Sequence, residues 1–379
     1  MSTTRPPTSP SAGSQDPGPL ADRYYPRSTF GESEPGIRTG REVAWEPLVD
    51  YRRNGVSETT IHGAVAWFSG DRPIHGFGGD VLCYGRSMMK LLYVKPFVEE
   101  LAHLTPAQKA ISVSSHNGTT AHVAAAQSLL PREEWSLMQT PLDLPLVQFG
   151  RQVRRPRRWY NNGSGHHAAL LLGCKAKGWR RVGYTLPGHP LFGAYLGVVR
   201  QALGADWTPL RVARDGDGMP TLSMTVNELA RCYAWLARTR HQDWVWDSMV
   251  AEPDLVGGFN RLDTTVMKSC EGRVIAKEGA DGLLGLAIDH PDHPDGLGIV
   301  IKIAHGWDPQ ATWYVARGIL GVLGFTLRTP YKLHRQKAFL VPGVVPPEYE
   351  QALAAIPTWD PWDADHDRWY FDAPFGEAP

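Results

Sequence analysis

Three scarcities shape a first reading of this chain. Cysteine is rare: among 379 residues only Cys83, Cys174, Cys232 and Cys270 occur, without paired spacing. That argues against a disulfide framework and fits reduced thiols in a cytoplasmic protein. A surplus of one charge is also missing, since Lys+Arg and Asp+Glu each number 39. Nothing in that balance draws nucleic acid or an anionic membrane. Long apolar runs are absent too, and none reaches the ~20 residues that a membrane-spanning helix needs. The N-terminus has no apolar signal core, so export by the common secretory route is not expected.

What is present is enough for a folded body, with 42% apolar residues. Residues 1–40 are rich in Pro, Ser, Thr and Gly and poor in apolar residues, which predicts a disordered extension. The body is expected over 41–340. A tail over 341–379, with several prolines and Trp359, Trp362, Trp369 and Tyr370, should press its aromatics onto that body. From Ile61, two short apolar runs around Ser69-Gly70-Asp71-Arg72-Pro73 predict a hairpin. A helix should start at Ser87 and run to about His103, kinked or divided at Pro96. Further helices are expected near 106, over 120–130, 168–177, 189–203, 225–238 and 244–250, and one ending near Cys270. Ile111 to Ser115 alternates. Strands are expected over 274–282, 283–288 and 296–304, and a last helix over 309–325. The order is strands, a helical block, strands, then a helix. It predicts an α/β fold whose antiparallel sheet is built from both ends of the chain, with a helical region inserted. Arg151 to Arg158 holds five arginines, read either as a solvated turn or as a loop facing an anion or a subunit.

Gly85-Arg86-Ser87-Met88-Met89-Lys90 carries the chemistry. Helix positions three apart share a face, so the Lys90 amine can reach the Ser87 hydroxyl. A lysine kept neutral by burial or by a neighbouring cation can take the serine proton and make it a nucleophile. Penicillin-binding proteins and class A β-lactamases use the same spacing for acyl transfer. Taken alone, the pattern equally describes a helix start with a capping serine and a solvated lysine.

Further segments stand in order along the chain: Ser114-Ser115-His116, Ser164-Gly165-His166-His167, Leu186-Pro187-Gly188-His189-Pro190, Asp215-Gly216-Asp217-Gly218-Met219-Pro220, Arg261-Leu262-Asp263-Thr264 and Lys277-Glu278-Gly279-Ala280-Asp281-Gly282. With the Ser87 segment they resemble the bacterial asparaginases of the type found in rhizobia, over roughly residues 61–325. That resemblance implies a fold like the serine β-lactamases and glutaminases, a cytoplasmic homodimer, and a small-molecule amide as substrate. It implies two Ser-Lys pairs: Ser87 as nucleophile with Lys90 as its base, and Ser115 with Lys277 relaying protons. Two lysines close together would depress each other's proton affinity. Arg86, His116, Arg261, Asp263 and the Asp215/Asp217 loop are the candidates for substrate binding.

Relatives of that type hold zinc through two cysteines and a lysine. The matching positions here are Gly163, Asp217 and His166, and a further family cysteine position is Asp263. No cofactor is therefore expected. Zinc on His166 and Asp217 alone, completed by water, would be a weak site. The reading is a hydrolase of a side-chain amide acting through a serine acyl-enzyme. The alternatives are a biosynthetic acyl or amide transferase or cyclase, and a binding protein on the same scaffold.

Overall fold

In a computed structural model of the chain, residues 45–142, 157–329 and 337–358 are described. The extension over 1–40, most of the arginine cluster, and Trp359, Trp362, Trp369 and Tyr370 lie outside those residues. Strands β1 (Glu46–Arg53) and β2 (Val56–Ser69) are joined at Asn54-Gly55, both at positive φ (48° and 83°). This is the geometry that a tight hairpin turn requires. β3 (Arg72–Phe77) and β4 (Leu82–Tyr84) follow.

The helical region holds α1 (Pro106–Ser112), α2 (Thr120–Gln127), α3 (Ser164–Ala176) and α4 (Pro190–Leu203). Then come β5 (Val212–Arg214), β6 (Pro220–Thr225), α5 (Val226–Arg238), α6 (Val245–Ala251) and α7 (Leu262–Ser269). Strands β7 (Val274–Gly279), β8 (Leu283–His290) and β9 (His293–Ile303) form a meander. α8 (Pro309–Val322), β10 (Lys337–Leu340) and α9 (Glu350–Ala355) complete the described chain.

One antiparallel sheet runs β10-β1-β2-β9-β8-β7, with β3 also paired to β2. Gly63 to Ser69 on β2 pairs with Ile303 to Leu297 on β9, so both ends of the chain meet at the sheet centre. The predicted hairpin, meander and inserted helices are all present. α5 begins with a Thr225/Glu228 capping box. Its stripe of Leu229, Cys232, Tyr233 and Leu236 is buried. α5 packs across β9, β8 and β2, while α8 covers β9 and β1. At Gly298 the approach is closest: a Cβ there would run into the α5 backbone at Ala230 and Ala234. Gly298→Ala is therefore expected to cost about 1–3 kcal/mol of stability through overpacking, read from the midpoint of urea unfolding.

A second sheet, β4-β6-β5, ties the start of the Ser87 segment to the Asp215–Met219 loop. The expected helix from Ser87 to His103 does not form. Instead there is a 3₁₀ turn (Arg86–Met89), one α-turn (Lys90–Tyr93) and another 3₁₀ turn (Lys95–Phe97). Pro96 cannot donate to the ladder. Met88 to Val94 is buried on every side rather than along one stripe, so tertiary packing overrides local periodicity. Ile111 and Ser112 end α1, and the residues after it up to Thr119 form a turn and irregular chain rather than a strand. Among the described residues no helix is long and apolar enough to cross a membrane.

Candidate active site

The polypeptide leaves β4 through a strained residue. Arg86 lies at φ +48°, a region that costs a side-chain-bearing residue on the order of 1 kcal/mol. Its N–H donates to Thr221 Oγ1 at 2.9 Å, and its guanidinium pairs with Asp281. The kink sets Ser87 half-buried at the head of the 3₁₀ turn, which packs against β7. Among the described residues the Ser87 hydroxyl makes no hydrogen bond, so it is free to meet a ligand.

The Lys90 side chain is buried. Its ammonium pairs with Asp217 Oδ2 at 2.7 Å and donates to Ser115 Oγ at 3.1 Å and to the Ser114 carbonyl at 3.0 Å. The side chains of Lys90 and Asp217 are 3% and 7% exposed. Burial pushes the Asp217 carboxyl up, but the Lys90 ammonium and the nearby His167 outweigh it and hold the group below its usual range. Ser115 sits just beyond α1 and is fixed by its N–H to the Val256 carbonyl at 2.9 Å.

Lys277, fully buried on β7, donates to Asp263 Oδ2 at 3.2 Å and to the Glu278 carbonyl at 2.9 Å. Burial lowers its amine, Asp263 pulls it back, and Arg261 and Lys90 push it down again, to about 8. The hydrogen bonds are not those of the two expected Ser-Lys pairs. Lys90 holds Ser115 rather than Ser87, and Lys277 holds Asp263 rather than Ser115.

Arg261 braces this half of the site. Its Nε pairs with Glu278 Oε2 at 2.7 Å, and it donates to the Ser115 carbonyl at 2.8 Å. Asp263, fully buried at the start of α7, accepts from the Thr264 N–H at 2.9 Å besides pairing with Lys277. Both side chains are tied into the protein by these bonds.

His116 is likewise enclosed. Its Nδ1 accepts from the Gly118 N–H at 3.0 Å, so Nε2 carries the proton and donates to Ser164 Oγ at 2.9 Å. The ring stacks on His122 at 5.1 Å between centroids. Burial and the neighbouring His122 and Lys90 charges hold it well below the usual imidazole range. Both ring nitrogens are thus engaged by the protein. Asp215 remains half-buried. Its Oδ1 accepts from the Asp217 N–H at 3.0 Å and the Met219 N–H at 2.9 Å. Burial and the Asp217 charge push its carboxyl up to about 7. Asp215 and Arg86 are therefore the substrate-binding candidates with reach.

At the positions where the sequence resemblance led us to look for zinc, the donor set is a poor one for that ion. A Cβ at Gly163 would lie 2.5 Å from Asp217 Oδ2, so the carboxylate fills the space a ligand side chain would need. Its charge is spent on Lys90. His166 Nδ1 bonds the Ser112 carbonyl at 2.7 Å, leaving Nε2 a buried lone pair without a partner. Among the described residues no three His, Cys, Asp or Glu side chains are grouped to hold a metal. Of the expected two-ligand site, His166 keeps a free ring nitrogen while the Asp217 carboxylate faces Lys90. Sequence reasoning missed the Lys90–Asp217 pair and the bracing by Glu278. The Asp-Gly-Asp-Gly spacing marked the loop but not the partner.

A family model described as L-asparaginase II matches residues 49–343. A search of the curated proteins finds no match.

Proposed function

Because the chain belongs to the L-asparaginase II family, a family of amide hydrolases, we propose that it cleaves the primary amide of an amino-acid-like substrate through an acyl-enzyme on Ser87. The observation that carries this reading is an unbonded Ser87 hydroxyl on a turn that packs against β7, the strand that holds the fully buried Lys277 amine, brought to about 8. A base serves best when its proton affinity lies near the working pH. Lys90, committed to Asp217, supplies a fixed positive field and holds Ser115.

In the forward step Ser87 Oγ bonds to the amide carbon while Lys277 receives the hydroxyl proton. The tetrahedral intermediate then breaks its C–N bond. The leaving nitrogen takes a proton from Lys277 and departs as ammonia. Water next attacks the ester, giving its proton to Lys277. The Ser87–carbon bond breaks, the acid leaves, and Ser87 recovers its proton. The proposed steps use protein groups and water alone.

Trapping tests the reading. Incubated with an electrophilic amide analogue, the protein is expected to gain one adduct that peptide mass spectrometry locates on Ser87. Its rate should rise with pH and level off above about 8, as the Lys277 ammonium gives way to the amine. An adduct elsewhere, or a rate that falls across that interval, defeats the assignment.

A further inference from the structure

A cavity of about 300 Å³ is lined by Cys83, Tyr84, Asp281, Lys302 and His305 among others. Lys302 on β9 is only 6% exposed. Its ammonium donates to the carbonyls of Asp281 at 2.5 Å and Ile303 at 2.8 Å, with the Trp45 ring 5.8 Å away. An ammonium has three donors, so one remains. Among the described residues no carboxylate forms an ion pair with Lys302. The nearest candidate, Asp281, has turned its carboxylate to Arg86. Buried charges are ordinarily paired because desolvation is costly. Here a cation bonded only to carbonyls faces an open volume.

The frame around that cation is rigid. Asp281 and Gly282 occupy a tight turn at φ 66° and 68°, locked by the Ile303 N–H to the Gly282 carbonyl at 2.8 Å. Cys83 brings no competing charge, since burial pushes its thiol up to about 12. The cavity also adjoins the site: Asp281 pairs with Arg86, the residue immediately before Ser87.

We propose that this cavity is a subsite for a carboxylate-bearing arm of the substrate, held by Lys302. The preferred amides then carry an acidic group on a chain that extends past Arg86. The identity of the ligand as a substrate rests on the acyl chemistry proposed at Ser87; the anion site itself rests on Lys302.

Calorimetric titration of the full chain carrying Ser87→Ala avoids turnover. The probes are straight-chain primary monoamides of increasing length that end in a carboxylate, and the same amides ending in a hydroxyl. One acidic length is expected to bind at least about tenfold tighter than its neutral counterpart, as suits a hydrogen bond to a charged group. Adding Lys302→Met should erase that preference and leave the neutral amides unchanged, and Lys302→Arg should restore part of it. Equal affinity for acidic and neutral amides overturns the proposal without recourse to any Lys302 variant, as does a preference that Lys302→Met leaves intact. Lys302-dependent binding of acids by a protein that never acylates Ser87 upholds the anion site and rejects the acyl reading. Acylation of Ser87 with no preference for acidic amides does the reverse.

Discussion

Ser87→Ala is expected to lower amide turnover by on the order of a thousandfold or more, because the proposed acyl intermediate sits on its hydroxyl. Ammonia release measures it directly, once a turned-over amide is in hand. The informative contrast is Ser115→Ala. Ser115 is 2% exposed and its hydroxyl is held by Lys90. Its loss should slow the reaction by a smaller factor and leave the trapped adduct on Ser87. Reversal of that order, with Ser115→Ala the dead variant, would move the nucleophile to Ser115 and make Ser87 a bystander. The two variants also separate chemistry from folding. Ser87→Ala removes a hydroxyl with no partner and should leave the unfolding midpoint unchanged, while Ser115→Ala removes an acceptor from a buried ammonium.

Asp217→Asn is expected to cost about 3–5 kcal/mol of stability, the penalty for leaving one member of a buried ion pair behind. The pair qualifies by burial: both side chains are under a tenth exposed and 2.7 Å apart. Lys90 would keep only the Ser114 carbonyl and Ser115 Oγ as neutral partners. A double variant, Asp217→Leu with Lys90→Met, removes both charges and should recover most of the loss in urea unfolding, though not the activity. If Asp217→Asn alone unfolds at the parent midpoint, the pair is not the anchor described here.

How far the residues announced this architecture depends on where the controlling contacts lie. The β7–β8–β9 meander was readable because apolar runs flank Asp281-Gly282, a turn whose geometry is local. α5 was readable from its apolar stripe. β10 was not: four residues, Lys337–Leu340, become a strand only because β1, remote in the chain, supplies hydrogen bonds. β4 and β5 are three residues each and carry no period to detect. The Ser87 segment misled for a related reason, since burial on all sides erases the amphipathic signal.

The site divides in the same way. Ser87, Lys90, Ser115 and Lys277 were legible as residue types in ordered segments. The partner each lysine chooses was not, because a long flexible side chain bonds whatever the tertiary fold brings within reach. His116 and Asp263, singled out for a substrate, proved to be committed inside the protein. Nothing local distinguishes a histidine that greets a ligand from one that holds a loop.

The closeness of Gly163 to the Asp217 carboxylate couples the two positions. Any side chain at 163 would press on an acid group already committed to Lys90, and changing 217 alone would strand that ammonium. Neither position can therefore be redesigned by itself, and a library that varies one while holding the other fixed would sample only damaged proteins.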